Sequence, residues 1–172
     1  MNDFARLVES EIPRLRRYAR ALHRGDLTAA DDLVQDALAR AVAKQHLFEP
    51  GTNLRAWLFT VLHNQHVNQV RRSVREGIAI DVDDVRNVLA SPSDTGASLL
   101  LRDLDRGLAS LKIEQRQAVL LVGLEGTSYA EAAQILRIPI GTVRSRVSRG
   151  RDQLRHLMGM PAARPLAAPA AA

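Results

Sequence analysis

The chain contains no cysteine. That excludes disulfides, thiolate metal sites and a cysteine nucleophile, and it fits a reducing compartment such as the cytosol. Aromatic side chains are scarce, at 3% of residues, and long β-branched runs are few. Little in the chain therefore favours sheet. No apolar run approaches the ~20 residues that a bilayer-spanning helix needs. The opening Met1, Asn2, Asp3, Phe4 soon gives way to charge, unlike a secretory leader. Gly-rich phosphate loops, H-E-x-x-H pairs and nucleophile elbows are also missing, so neither a catalytic role nor a cofactor is expected.

What is present points to helices. Hydrophobic residues make up 46% of the 172, and Ala, Leu, Arg and Val dominate. The length suits one domain or two small ones. The formal net charge is +5, with an isoelectric point near 10.6. A balance this basic suggests a polyanionic partner, either nucleic acid or an anionic membrane; plain solubility is the alternative. The placement of the charges decides between them.

Residues 3–24 read as helix, divided in two by Pro13, which suits a first turn better than an interior. A second helix is expected from Thr28, which has capping-box spacing to Asp31. Its apolar stripe is Leu33, Val34, Ala37, Leu38, Ala41 and Val42. Phe48, Glu49, Pro50 and Gly51 break the chain. Thr52 or Asn53 caps a third helix, with Leu54, Trp57, Leu58, Val61 and Leu62 buried and Arg71, Arg72 and Arg75 at its end. Residues 76–96 read as an interdomain linker: Asp81, Asp83 and Asp84 are acidic, residues 91–96 are turn-rich, and a short helix is possible over 85–89. Helices then resume. Leu100, Leu104, Leu108 and Leu111 mark one stripe, and residues 113–124 form the next helix. Ser128 and Glu131 give a full capping box for a third, and the last runs from about Ile140 to Met158. Residues 161–172 form an Ala/Pro-rich tail expected to be disordered.

The strongest local signal is residues 128–151, SYAEAAQILRIPIGTVRSRVSRGR. A short helix, a tight turn and a basic helix form the layout of a helix-turn-helix. Ala132 and Ala133 let the two helices approach, and Ile135, Ile138 and Val143 supply a small core. The second helix carries Arg144, Arg146, Arg149, Arg151 and Arg155 against one acid, Asp152. Arginine in a major groove donates twice to guanine, for ~1–3 kcal/mol of discrimination per good pair, and elsewhere binds phosphate. A solvated basic helix is the plain alternative, but the cap, the turn and the small residues argue against it.

Three segments resemble a known family in order and spacing. GTVRSRVSRGR, residues 141–151, resembles region 4.2 of sigma factors. DLTAADDLVQDALARA, beginning at Asp26, resembles region 2.2, and TNLRAWLFTVLHNQHVNQVRR, residues 52–72, resembles regions 2.3 and 2.4. The resemblance spans roughly residues 3–158. It is to the extracytoplasmic-function (ECF) class of sigma-70 family factors, and GTNLRAWLFTVLHN, QAVLLVG and SYAEAAQI are most similar to the alphaproteobacterial general-stress branch. The class implies an all-α fold of two small helical domains. Region 2 would occupy residues 1–75 and region 4 residues 97–158, with 76–96 as linker and 159–172 as tail.

The resemblance also implies roles. Asp32, Gln35, Asp36 and Arg40, on the polar side of the second helix, would dock on the β′ clamp helices of core RNA polymerase; region 4 would meet the β flap. Asn64 sits where the family places a base-contacting asparagine. With Asn68 and Arg71 it recurs at i, i+4 and i+7, and Arg71 and Arg72 would hold phosphate around melted −10 DNA. Arg144, Ser145, Ser148 and Arg149 map to the −35 contacts, with Thr142 and Arg146 on the DNA backbone. An anti-sigma partner is implied as well, small, soluble and helical in the general-stress branch and itself displaced by a response regulator carrying a sigma-like domain. Such a factor works in the bacterial cytoplasm, at the nucleoid and away from membranes. Trp57 reads as core rather than as a stacking platform. His63 and His66 could pair on a metal, but no third ligand is in sight, so no metal is expected. The principal rival is an autonomous helix-turn-helix regulator; the three-helix N-terminal half, with its asparagine stripe, argues against one.

Overall fold

Two short polar side chains fix where the second and third helices begin. The structure, a computed structural model, describes residues 3–76 and 96–161. Helix α1 spans Asp3–Leu22, α2 spans Leu27–Ala43 and α3 spans Leu54–Arg75. Asp26 caps α2, its Oδ1 accepting from the Ala29 N–H at 3.0 Å. Asn53 caps α3 in the same way, accepting from Ala56 N–H at 3.1 Å. Each such cap is worth about 1 kcal/mol. The Thr28–Asp31 capping box expected from spacing is not formed, because the chain enters α2 earlier. Asp31 instead faces Arg16 and Arg20 of α1, at 3.9 and 3.8 Å.

Pro13 does not divide α1. The helix runs through it unbroken, with Pro13 exposed. Proline in a helix interior costs ~3 kcal/mol, and burial on both sides of it exceeds that cost. Val8 lies before it and Leu15, Tyr18, Ala19 and Leu22 after, all buried, at ~1.5–3 kcal/mol for each large apolar side chain.

The C-terminal half comprises α4 (Gly96–Ser110), α5 (Ile113–Val119), α6 (Tyr129–Leu136) and α7 (Ile140–Leu157). The single helix expected over 113–124 is α5 followed by one wider turn, in which Glu125 N–H donates to Leu120 O, five residues back. Such widened turns gather at functional positions. The stripe on α4 is only partly inward: Leu111 is buried, whereas Leu100 and Leu104 are exposed. The linker over 76–96, its possible helix at 85–89 and the tail beyond residue 161 lie outside the described residues, apart from their edges.

One apolar core runs through both halves. It joins Leu15, Tyr18, Leu33, Val34, Leu58, Phe59 and Leu62 to Leu120, Leu121, Ala132, Ile135, Val143 and Val147. Helix α3 packs on α1 and α2 on one side and on α6 on the other. This double packing explains a difference from expectation. The fully buried positions of α3 are Leu58, Phe59, Leu62 and His66, while Leu54, Trp57 and Val61 are only half-buried. Phe59 lies edge-on to Tyr18, ring centroids 5.3 Å apart. Trp57 packs beside Phe4 and Phe48, at 6.2 and 5.5 Å, in an apolar cluster at the base of α3.

Candidate nucleic-acid interface

The helix-turn-helix forms as its sequence dictates. Ser128 Oγ accepts from Glu131 N–H at 3.1 Å, and the Glu131 carboxylate accepts from Ser128 N–H at 2.9 Å. Those bonds, from the Ser128 backbone above all, hold the Glu131 carboxyl below its ordinary pKa. Ala132, Ile135 and Val143 are buried between α6 and α7, with Ile138 packed beside them. The turn between the helices passes through Arg137 at φ 54°, a left-handed conformation that costs a residue bearing a Cβ ~1–2 kcal/mol. Among the described residues the only other such non-glycine position is Arg24, where α1 reverses into α2.

On α7, Arg144, Ser148 and Arg149 are exposed on the outer face. Thr142 and Ser145 are half-buried, and the Ser145 hydroxyl donates back to Thr142 O at 2.9 Å. Arg146 is half-buried as well and lies toward α3, close enough with Arg137 to oppose a charge on His63. The six residues therefore divide, three outward and Arg146 turned to the N-terminal half. Buried Gly150 sets how closely α7 packs: a Cβ there would sit 2.6 Å from Val119 Cγ2.

On α3, Asn64 is half-buried and Asn68, Arg71 and Arg72 are exposed. Arg72 pairs with Glu76 at 2.7 Å, and Asn68, Arg72, Arg75 and Glu76 line an open groove. On α2, Asp32, Gln35, Asp36 and Arg40 are all exposed. Sequence reasoning missed what ties two of these down. Gln65 and Gln69 each donate to Asp36 at 3.3 Å, and Arg40 donates to Gln65 at 3.1 Å. This polar layer joins α2 to α3 and orients the acidic face.

The largest omission was the seam between the halves. Arg17 of α1 grips Glu125 with two hydrogen bonds of 3.0 Å, and Arg14 lies 4.0 Å from the same carboxylate. The Glu125 side chain is fully buried. Burial, and then the adjacent Glu125 charge, push the Tyr18 phenol well above its ordinary pKa. Arg116 is buried too. It donates to Leu108, Ala109 and Leu111 carbonyls at the end of α4 and, across the seam, to Leu22 O at 3.1 Å. Burial lowers its pKa to about 10. Asn53 Nδ2 donates to Glu131 at 2.7 Å, tying the cap of α3 to the cap of α6. The hydrogen bonds that cross the seam join residues 78 to 108 positions apart, so no local spacing announces them.

His23, His63 and His66 lie along the same seam. The His23 and His66 rings meet edge-on with centroids 5.5 Å apart. Among the described residues no group of three or more ligating side chains could hold a metal ion, and no helix is long and apolar enough to cross a membrane.

The fold corresponds to that of known proteins. The family profile "Sigma2 domain of PhyR" matches residues 8–63, and "Sigma-70, region 4" matches residues 101–154. These two matches define a two-domain sigma factor of all-α fold. The chain is 40% identical to the ECF RNA polymerase sigma factor EcfG of Rhodopseudomonas palustris, over 88% of this chain and 82% of that one. Among solved structures it is similar to the sigma factor RpoE of Bartonella quintana in complex with the anti-sigma factor NepR, with TM-score 0.79, 42% identity and coverage of 92% and 98%. It is also similar to CnrH in complex with the cytosolic domain of CnrY, with TM-score 0.66, 27% identity and coverage of 91% and 87%. The chain belongs to the ECF family of RNA polymerase sigma factors, which is not a family of catalysts.

Proposed function

We propose that this sigma factor works by dividing promoter recognition between its halves while both are mounted on core RNA polymerase. Residues 97–158 read −35 duplex through the outer face of α7: Arg144, Ser148 and Arg149 at base edges, Ser145 beside them, Thr142 and Arg146 on the backbone. Residues 1–75 hold polymerase through Asp32, Gln35, Asp36 and Arg40. They capture melted −10 DNA with Asn64 and Asn68, while Arg71 and Arg72 bind phosphate. Residues 76–96 serve as the linker and 159–172 as a tail. The chain itself catalyses no reaction and acts in the cytoplasm at the nucleoid, in a stress response. Its partners are core polymerase, at the β′ clamp helices and β flap, promoter DNA, and a small, soluble, helical anti-sigma protein like the NepR that binds the Bartonella relative.

The observation that carries this reading is the placement of an exposed arginine face on α7 and, on α3, a stripe of half-buried Asn64 with exposed Asn68, Arg71 and Arg72, in separate halves of one chain. Distance adds a requirement. The −10 and −35 elements lie about 25 base pairs apart, roughly 85 Å at ~3.4 Å per pair. A folded chain of this size has a radius of gyration of ~16 Å and measures roughly 40 Å across. With the seam closed it cannot touch both, so the halves part on polymerase. The test is transcription in vitro with purified core polymerase on a promoter library. Initiation should concentrate on promoters sharing one −35 and one −10 sequence. Polymerase that initiates no differently with the chain present would contradict the reading, and specific DNA binding by the chain alone would favour a free regulator.

A further inference from the structure

Three of the five histidines lie in the seam, and the proposed promoter recognition uses none of them. His23 directly follows α1, and His63 and His66 are one turn apart on α3. His23 Nε2, His63 Nδ1 and His66 Nδ1 are buried without a hydrogen-bond partner among the described residues. A neutral imidazole tolerates this at modest cost, whereas an imidazolium there would be a buried charge with an unpaired donor.

The neighbours make charging harder still. From α5, buried Arg116 faces both His23 and His66. From the helix-turn-helix, Arg137 and Arg146 face His63. From α3 and α1, His63 and His23 each oppose a charge on His66. Arg24 adds positive charge near Arg116, and Asp105 of α4 offsets part of it. Only Asp26 favours a charge on His23, and its carboxylate already caps α2. The seam thus holds three titratable rings in a largely positive, desolvated setting, and much of that setting comes from the opposite half of the molecule.

We propose that the seam is an acid-sensitive latch: it closes only while His23, His63 and His66 are neutral, and their protonation parts the two halves and frees both promoter-reading surfaces. The second part of this statement rests on the residue assignments above; the parting itself does not. Burial, above all, lowers His63 and His66 to about 4 in the closed chain, against an ordinary value of 6.5, and also lowers His23. Groups whose pKa is depressed in the closed form favour closure fully above 6.5. Their contribution fades as pH falls from 6.5 toward 4. At pH 5.5 each of the two stronger histidines shifts the open-to-closed ratio about tenfold, and together they shift it roughly a hundredfold.

The absence of native cysteine makes the test direct. Ala39→Cys on α2 and Lys112→Cys before α5, both exposed, place one fluorophore on each half. The separation between labels should lengthen reversibly as pH falls from 7.5 to 4.5, with helicity by circular dichroism unchanged. In the same titration, NMR of the unlabelled chain should show the three seam imidazoles titrating together at that midpoint. It should lie below 6.5, the ordinary value of an imidazole. His63→Gln/His66→Gln should stay closed over most of the range. If that variant fails to fold, the wild-type titration decides alone. The proposal is overturned if the seam rings titrate near the ordinary 6.5 at constant separation. It is equally overturned if helicity is lost at the same midpoint, or if a folded double variant responds as strongly as wild type. None of these readouts involves polymerase or DNA, so failure of the latch and failure of the promoter assignments are separable.

Discussion

Arg17 on the first helix and Glu125 in the wide turn after the fifth form a two-pronged ion pair 108 residues apart in sequence, both bonds 3.0 Å long. The partners are unequal. The Arg17 side chain is 49% exposed and that of Glu125 0%. Removing the arginine leaves a buried carboxylate with only Arg14 in reach, whereas neutralising the acid frees two cations that can turn to water. Arg17→Ala should therefore cost more than Glu125→Gln. Breaking a buried pair from one side costs about 3–5 kcal/mol, and Arg14 should hold this case near the lower end. Glu125→Gln should cost about 1–3 kcal/mol. The double variant should recover part of the Arg17→Ala loss. Urea unfolding of the four proteins checks the order.

Close packing at Gly150 gives a second expectation. Glycine inside a helix normally costs ~1 kcal/mol relative to alanine, yet a Cβ there would collide with Val119, and one at Gly107 would lie 2.8 Å from Leu154. Gly150→Ala should lower stability by about 1–3 kcal/mol. At Gly141 nothing lies within 4 Å, and alanine there should be neutral or mildly stabilising. Thermal melts should show a clear drop for Gly150→Ala and none for Gly141→Ala.

Arg137 offers the opposite case. Its φ of 54° suits glycine better than arginine. Arg137→Gly should raise stability by up to ~1 kcal/mol, less whatever entropy glycine adds to the unfolded chain. A raised melting temperature supports the strain at this turn, and a lowered one would show that the side chain contributes contacts worth more than the strain costs.

On the promoter, Arg149→Ala should weaken −35-dependent initiation and leave polymerase binding intact. Loss of one good bidentate base contact corresponds to ~1–3 kcal/mol, or roughly five- to 150-fold. Asn64→Ala should impair open-complex formation more than polymerase association. Permanganate reactivity of the melted strand, set beside a pull-down of polymerase, separates the two steps. Equal defects in both would count against base capture by Asn64.

Much of the fold was legible because local chemistry decides it. The Ser128–Glu131 box, the Asn53 cap and the small residues at the α6–α7 crossing each act within a few positions, and each formed as expected. The errors came where tertiary contacts override local preference. Pro13 stays within one helix because core residues bury on both sides of it. Asp31 leaves its spacing partner for arginines of α1, and Glu125 is drawn inward by Arg17 from more than a hundred residues away. Arg116 reads as one more surface cation, but it ends up buried on four backbone carbonyls. The exposed candidate faces on α2, α3 and α7 were legible as patterns; that Arg146 and Arg137 crowd against His63 was not, since it depends on how two separately patterned halves dock.

In the proposed cycle the chain is closed when free and spread along a promoter when at work. Energy transfer between labels at Ala39→Cys and Lys112→Cys, measured at neutral pH on the free protein and again in the complex with core polymerase and promoter DNA, tests this most directly. High transfer is expected in the free chain and a large drop in the complex, since the halves would then read elements about 85 Å apart at ~3.4 Å per base pair. Transfer that stays high in a complex that is actively initiating would contradict it.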